Sequence, residues 1–455
     1  MNATVSQGWQ FNDNSRSSWD ILWTCLTTIF ACTWTVLHPS VPGRNRSKAR
    51  HVASKLTAWF LTVLAPEGLV LGASEQFWRV WSLTKRCNAA HAQTTTQQTN
   101  AEPSSWLYNR TKPLASAQAV GTLDLYPPAT HWTLSRCWCV EMVGLALVTE
   151  DGWEFYVLRD QIVRFIEIGI ITCSDFTDQE IQDRVRTDAF TKGFTIAQSA
   201  WVLVDIIARA GYSLPITPFE FATLSYILCA IMTYACYWHK PQGMTIPITL
   251  PLRYTRDALP LEIRSLTDEH PKRWLHRHLI PPREPISAAL RLSGRTLQTN
   301  AIDQPLRGTL TRESRGLTLQ EEWLLNDFAG FAGIAFCGIH VAAWNFAFPT
   351  HAEAIAWRVL SLTALGMVVI IYAYGQVPLM LRWLNDRSFP LPLSLRKVAD
   401  PRGRFTPQEV YVQVFCMLVY ALARVGLAAL MFSSFRALPS GAYLAVDWLG
   451  SIPHI

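Results

Sequence analysis

Long apolar stretches separated by polar segments recur along this chain. A helix needs about 20 mostly apolar residues to cross the hydrocarbon of a bilayer. Seven segments meet this requirement clearly: Trp19–Leu37, Leu56–Ala73, Phe190–Ala210, Phe219–Trp238, Trp323–Phe346, Ala354–Leu379 and Val410–Phe432. An eighth, His131–Thr149, is weaker because Arg136 and Glu141 interrupt it. The pattern predicts an all-α fold, a polytopic transmembrane helical bundle.

The basic residues between the apolar segments decide how many of them cross. Cytoplasmic loops of membrane proteins carry an excess of Lys and Arg. The first basic loop contains Arg44, Arg46, Lys48, Arg50 and Lys55. The loops after Trp238 and at Arg382–Arg404 are basic too. All three lie on one side only if His131–Thr149 also crosses, so we expect eight spans with both termini outside the cytoplasm.

These spans divide the chain into five parts. We expect spans one and two in residues 1–85, a flexible polar lumenal loop in 86–130, spans three to five in 131–240, a Pro- and Arg-rich cytoplasmic loop in 241–321, and spans six to eight with the C-terminal tail in 322–455. Phe155–Ile171 mixes charged with apolar residues and reads as an amphipathic interfacial helix. Asn2 and Asn109 head sequons that would be lumenal glycosylation sites.

Composition agrees with a membrane protein. Half of the residues are hydrophobic and 16% are charged, against about 25% charged in soluble domains. The net charge of +6 resides in loops beside apolar spans, which favours the lipid bilayer as partner and not nucleic acid. Without an address signal, we expect the endoplasmic reticulum or another endomembrane.

The sequence offers few metal or cofactor motifs. It lacks a P-loop, a dinucleotide fingerprint, a G-x-S-x-G elbow and an H-E-x-x-H motif. His270, His276 and His278 have no di-iron spacing, and Cys137 with Cys139 forms a C-x-C pair suited to a disulfide or a ligand role. We therefore expect no metal and no cofactor.

Several ionisable residues occur inside the apolar segments. Hydrocarbon tolerates such groups where they face a protein interior or a wet cavity, so each marks a candidate functional site. Glu67 follows Pro66, which breaks the second span. Asp205 and Arg209 stand one helical turn apart and can form an ion pair, which is either structural or makes Asp205 a proton donor. His340 is either a packed core residue or a proton acceptor.

Further polar and aromatic residues share these segments. Gln198 and Trp201 fall on the predicted helical face of Asp205. Trp344 and Asn345 follow His340, and the remaining members of the predicted binding set are Glu353, Arg358 and Arg424. Glu220 is the ordinary acidic residue of a helix start. Under the eight-span topology the charged residues converge, which predicts one site with Glu67, Asp205 and His340 as its catalytic groups.

Several stretches resemble a large family of uncharacterised fungal multi-pass integral membrane proteins. They are Ile29–Pro39, Leu64–Glu67, Gln198–Arg209, Trp238–Pro241, Gly338–Asn345, Phe348–Thr350, Trp357–Arg358 and Ile452–Ile455. The resemblance spans nearly the whole chain and implies a fungal source and a membrane location, but no activity. The chain departs from the pattern at Tyr237, where a Trp is expected, and around Gly144.

Two classes of function fit these observations. The first is an enzyme that acts on a lipophilic, isoprenoid-like substrate by acid/base chemistry, such as a terpene cyclase of secondary metabolism, with Glu67 or Asp205 as acid and Trp201 and Trp344 as cavity walls. A membrane acyltransferase with His340 as base is a variant. The alternative is a non-catalytic transporter or scaffold.

Overall fold

The computed structural model describes residues 6–11, 16–37, 48–100, 131–185, 189–244, 246–268, 318–387, 392 and 407–446. In chain order its helices are α1 (Ser18–Trp34), α2 (Lys48–Leu64), α3 (Pro66–Asn100), α4 (Leu134–Glu141), α5 (Arg159–Glu167), α6 (Asp178–Asp183), α7 (Ala189–Gly211), α8 (Pro218–Cys236), α9 (Leu261–Asp268), α10 (Leu319–Ala342), α11 (His351–Asp386) and α12 (Pro407–Ser434). Its strands are β1 (Ser6–Gln7), β2 (Leu145–Val148), β3 (Glu154–Tyr156), β4 (Ile248–Pro251) and β5 (Leu438–Pro439). Short 3₁₀ turns cover Arg256–Ala258, Ala343–Asn345 and Ser440–Tyr443.

Capping boxes define where several long helices begin. In a capping box, a Ser or Thr side chain accepts a bond from the backbone N–H three residues on, and an acidic side chain there bonds back. The pairs are Ser17 with Asp20, Thr217 with Glu220, Thr318 with Glu321 and Thr350 with Glu353. Local sequence therefore sets the starts of α1, α8, α10 and α11.

Four helices among the described residues are long and apolar enough to cross a membrane. They are Pro218–Cys236, Leu319–Asn345, His351–Asp386 and Tyr411–Ser434. A further pair, Lys55–Leu64 and Pro66–Thr94, passes together but is bent by 114°. The predicted spans Trp19–Leu37 and Phe190–Ala210 are helical as α1 and α7, without reaching that combined length and apolarity. The protein is mostly helical, with at least these candidate spans.

The predicted weak span His131–Thr149 is wrong, because the segment is not one helix. Helix α4 ends at Glu141, Val143 takes a left-handed φ of 62°, and β2 follows. β2 lies between β3, its antiparallel neighbour, and β4, its parallel neighbour. Arg136, buried, donates to the carbonyls of His131 and Cys173. This segment is the centre of a small folded unit.

Other parts of this unit also differ from expectation. Helix α3 continues through Asn100, whereas the sequence predicted a flexible loop from residue 86. The predicted interfacial helix is present as α5, but Ile162 and Phe165 pack into the protein core and not onto lipid. Strand β4 and helix α9 lie inside the predicted cytoplasmic loop. Asn2, Asn109, His270, His276, His278 and Ile452–Ile455 are outside the described residues.

The long helices have two distinct ends. We name one of them the sheet end. There, one core is shared by the second half of α3, the end of α8 and the β2–β3–β4 unit. Lys85 of α3 also pairs with Glu321 at the start of α10, with 3.5 Å between Nζ and Oε1. At the other, the β1–β5 end, β1 pairs with β5. Ser18 at the start of α1 contacts Tyr443 there.

Glycines allow the long helices to approach closely. A Cβ on Gly330 of α10 would overlap the Tyr372 ring of α11, and one on Gly426 of α12 would lie 2.7 Å from the Leu360 side chain of α11. Small residues at helix crossings are the usual way in which membrane helices pack. The close α10–α11 and α11–α12 contacts therefore require glycine, which has no side chain, at positions 330 and 426.

We predict that Gly330→Ala destabilises the protein, whereas Gly338→Ala on the same helix does not. The first substitution forces Tyr372 to move, and overpacking costs about 1–3 kcal/mol. Nothing lies within 4 Å of a Cβ on Gly338, so that substitution brings the higher helix propensity of Ala. The measurement is the thermal midpoint of each purified variant in detergent. Equal midpoints for the two would contradict this packing.

Candidate functional site

The site is built around a break between α2 and α3. Pro66 has no backbone N–H, and the Gly68 N–H bonds to the Ala65 carbonyl. The Leu64 carbonyl therefore has no helical donor, in the interior of the protein, where an unpaired carbonyl is costly. Arg424 of α12 donates its Nε–H to that carbonyl at 3.2 Å. Tyr226 of α8 donates its hydroxyl to the Val63 carbonyl at 2.7 Å.

Arg424 is the hub of this site. Besides Leu64, its guanidinium donates from Nη1 to His340 Nε2 at 3.0 Å and from Nη2 to the Tyr226 hydroxyl at 2.9 Å. Its guanidinium carbon lies 4.3 Å from the centre of the Phe336 ring. All three nitrogens are used, and the side chain is buried. Arg424 thus joins the broken pair to α8 and α10.

His340 is fixed in one orientation. An arginine can only donate, so Nε2 of His340 is the acceptor and Nδ1 carries the proton that is donated to the Phe336 carbonyl at 2.9 Å. Trp357 donates its indole N–H to the His340 carbonyl at 3.1 Å. Both ring nitrogens are engaged, so His340 positions Arg424, and no lone pair is left for the predicted role of proton acceptor.

Glu67 is the group at this site that can still bind a proton or a ligand. It is the second residue of α3, and its Oε2 is buried without a hydrogen-bond partner among the described residues. The hydroxyl of Tyr420 is also buried, and it too forms no hydrogen bond of normal length and angle to the described residues. Tyr420 nevertheless lies near enough to Glu67 for a weak hydrogen-bond interaction, and Arg424 acts on Glu67 through its charge. A Cβ on Gly333 would lie 3.7 Å from Glu67 Cγ, so the carboxyl group sits between α10 and α12.

The predicted convergence is therefore correct for part of the set. Glu67, His340 and Arg424 meet at the break, whereas Asp205 does not join them. Asp205 pairs with Arg16, with 3.5 Å between Oδ2 and Nη2, and Arg16 also bonds to Glu220. These acids lie at the β1–β5 end and not beside His340. The proposed acid role of Asp205 at a shared centre has no geometric support.

The predicted Asp205–Arg209 pair is not a salt bridge at contact distance, although the two charges still interact. Arg209 is completely buried and donates to four backbone carbonyls, those of Pro215, Gly441, Ala442 and Leu444. These bonds tie the end of α7 to the turn after β5. The i, i+4 spacing suggested a pair, but carbonyls at the helix end outcompete the carboxylate.

Gln198 and Trp201 do not form a common site with Asp205 either. Gln198 donates from Nε2 to Thr27 and Thr28 of α1, at 3.4 and 3.2 Å. Trp201 is 53% exposed and lines no interior site. The buried face of α7 runs instead through Val202, Ile206 and Arg209. Gln198 is a helix-packing residue, and the cavity-wall role of Trp201 is contradicted.

The residues around the α10–α11 turn are structural contacts. Arg358 donates Nε–H to the Trp344 carbonyl at 3.1 Å and stacks over its ring at 5.2 Å. Trp344 and Asn345 are exposed, so neither faces His340 inside a cavity. Glu353 caps α11 and bonds to Ser433 and Arg436 at the end of α12. These contacts fasten two helix ends together.

Sequence reasoning missed Tyr226, Tyr420, Phe336, Asn326 and Gln413. All are buried polar or aromatic residues in helices that read as simply apolar. A signal was available for the two tyrosines. A hydroxyl deep in a span requires a partner, as an ionised group does.

The C-x-C pair was predicted to suit a disulfide or a ligand role. Cys137 and Cys139 are buried and form no disulfide. Burial raises the pKa of Cys139 to about 12, which disfavours the thiolate that a metal needs. No group of three potential ligands is close enough to hold a metal ion among the described residues.

We predict that Arg424→Met lowers stability strongly and Arg358→Met only slightly. Removing Arg424 leaves the Leu64 carbonyl and His340 Nε2 without donors, and breaking a buried charged network costs about 3–5 kcal/mol. Arg358 makes one carbonyl bond in a half-exposed position. Thermal midpoints in detergent measure the difference. Shifts of equal size would show that Arg424 is not the hub.

Comparison with known proteins gives a family but no activity. The model of a family of unknown function (DUF8562) matches residues 1–262. This range includes the helix break, Glu67 and Tyr226. No curated protein matches the chain, and no solved structure does. Because the match covers more than half of its length, this chain belongs to that family of unknown function.

Proposed function

We propose that this protein is an integral membrane transport protein in which Glu67 takes up and releases a proton at the helix break. The observation that carries the proposal is a carboxyl group at the start of a broken helix, whose Oε2 is buried and forms no hydrogen bond of normal geometry to the described residues. Transporters commonly place their coupling-ion sites at such discontinuous helices. A carboxyl group in this position can be neutralised by a proton.

The helix break also suggests a topology. Lys55 and Trp59 of α2 contact Trp34 and Thr33 at the end of α1. Since α1 starts at the β1–β5 end, its last turn lies toward the sheet end. Helix α2 therefore starts near the sheet end, reaches Arg424, and α3 returns to the sheet end. We propose that the pair is re-entrant and that six helices cross, namely the four candidate spans α8, α10, α11 and α12 together with the shorter or less apolar α1 and α7.

This topology accounts for the charges that motivated an eighth span. The basic segments after α1, after β4 and after α11 all connect elements at the sheet end. The connections at the β1–β5 end, residues 212–217 and 346–350, contain no Lys or Arg. By the positive-inside tendency the sheet end is cytoplasmic. The re-entrant pair keeps the basic segments on one side without a further crossing.

A second candidate function is an acid-catalysed reaction of a lipophilic substrate. It is favoured by one observation, the aromatic rings of Tyr226 and Phe336 packed against the same site as Glu67. It is weakened because His340 is engaged at both nitrogens and Trp201 and Trp344 are exposed. The acyltransferase variant loses its base for the same reason. Incubation with an isoprenoid epoxide would favour this candidate if product forms with wild type and not with Glu67→Gln.

We predict that dicyclohexylcarbodiimide modifies Glu67 in the folded protein. This apolar reagent forms a stable adduct with a protonated carboxyl group in an apolar site. Glu322 is the internal control, because its carboxylate pairs with Arg382 at 2.6 Å. Peptide mass spectrometry should find the adduct on Glu67, none on Glu322, and none at position 67 in Glu67→Gln. Modification of Glu322 alone would refute the proposal.

We predict that Asn2 carries a glycan and Asn109 does not. Asn109 lies between α3 and α4, which both meet the sheet end, whereas Asn2 precedes β1 at the opposite end. Glycosidase treatment of protein from a eukaryotic host should shift wild type but not Asn2→Gln, while Asn109→Gln shifts like wild type. A glycan on Asn109 would contradict the re-entrant arrangement.

A further inference from the structure

Buried polar atoms without a protein partner continue from Glu67 toward the sheet end. Among the described residues they include Oδ1 and Nδ2 of Asn326 and Oε1 of Gln413. Asn326 is 5% exposed and so is Gln413. Native proteins bond nearly all buried polar atoms to protein or water, so such a series needs an explanation.

Helical register places these residues on the faces of α10 and α12 that lead to Glu67, a strip that we name the seam. Helices α10 and α12 run in the same direction, because α11 begins just after α10 ends and Glu353 in its first turn bonds to Ser433 near the end of α12. Asn326 precedes Gly333, the neighbour of Glu67, by seven residues, and Gln413 precedes Tyr420 by seven. Seven residues are about two helical turns. Asn326 therefore lies on the same face as Gly333, and Gln413 on the same face as Tyr420, each roughly 10 Å nearer the sheet end.

The spacing indicates what the seam can hold. Atoms separated by roughly 10 Å cannot coordinate one ion, because ligand distances are about 2–2.6 Å for common hard cations. They can bond to a file of water molecules, since buried water typically bridges polar groups that lack protein partners. The polar atoms are amide and hydroxyl groups, which accept and donate.

The seam is closed beyond Glu67. Arg424 bonds to His340, Tyr226 and the Leu64 carbonyl, so each of its three guanidinium nitrogens is held by a protein group among the described residues. A fixed guanidinium also repels protons and cations, as an arginine does in selective pores. Access to Glu67 is therefore from the sheet end.

We propose that Asn326, Gln413 and Tyr420 line a water-filled proton path from the sheet end to Glu67. A hydronium ion at the sheet end gives up a proton, relayed along the waters, and the Glu67 carboxylate takes up one proton. Each water accepts one proton and passes on another, so O–H bonds are exchanged along the file and the net change is one proton moved from the hydronium ion to the carboxylate. The proposal rests on the proposed function and adds the proton's route and its side of entry.

The experiment follows the carboxyl stretching band of Glu67 by infrared spectroscopy of the full chain in liposomes. A band that appears when the pH is lowered is assigned to Glu67 by its loss in Glu67→Gln. After transfer to D₂O, the rate at which this band shifts reports access of water to the carboxyl group. We expect Asn326→Leu and Gln413→Leu to slow that shift by about tenfold each, the effect of one lost hydrogen bond of ordinary strength.

Controls separate the route from packing and from the function itself. Gln198→Leu is the matched control, because Gln198 contacts α1 and lies off the seam, and it should exchange like wild type. Asn326→Ser keeps a polar group and should also exchange fast. If Asn326→Leu does not fold, Gln413→Leu with Asn326→Ser still tests the route.

Each result has one reading. A Glu67 band with unchanged exchange in both Leu variants overturns the route and leaves the proposed function standing. Equal slowing in Gln198→Leu also overturns the route, because the effect is then general. If no band depends on Glu67 as pH is changed, the proposed function fails and the route fails with it.

Discussion

The architecture depends on how two backbone carbonyls are satisfied at the break between α2 and α3. Irregular backbone inside a membrane protein persists where other groups bond to it. The Val63 carbonyl accepts from Tyr226, and the Leu64 carbonyl accepts from Arg424. These donors come from α8 and α12, which are distant in sequence. The break is therefore a joint at which three parts of the chain are held together.

The same break between α2 and α3 also determines the surroundings of the Glu67 carboxyl group. The three guanidinium nitrogens of Arg424 bond to a carbonyl, a hydroxyl and a ring nitrogen, and the guanidinium acts on Glu67 through its charge without an ion pair at contact distance. Glu67 is thus placed near positive charge without a direct bond from it. A group so placed can change its protonation state with little movement of its neighbours, which suits repeated uptake and release of a proton.

Sequence patterns predicted much of the helical framework because caps and apolar periodicity are local properties. Thr217 with Glu220 and Thr350 with Glu353 fix helix starts from four residues each. Proline in the second apolar segment also indicated a break at Pro66. The segment around Gly144 could not be predicted, since its strand pairs with Ile248–Pro251, roughly a hundred residues later. Its apolar run is as compatible with a buried strand as with a helix.

The candidate site was predictable only in outline. Glu67, His340 and Arg424 were identified as buried ionisable residues, and they do meet. Asp205 and Arg209 were paired by helical spacing, yet Arg16 and four carbonyls took their places. Spacing on one helix reveals which side chains can touch, but not which competitors the rest of the fold supplies. The hydroxyls of Tyr226 and Tyr420 signal that each needs a partner inside its helix bundle, but not which residue that partner is.

The central claim is that the chain enters the bilayer at α2, turns at Glu67 and leaves on the same side with α3. Side-specific labelling tests it most directly, with Lys55→Cys and, separately, Thr94→Cys in a chain whose native cysteines are replaced. A membrane-impermeant maleimide applied from the cytoplasmic side should label both positions, and the same reagent on the other side should label neither. Labelling of the two positions from opposite sides would contradict the re-entrant turn.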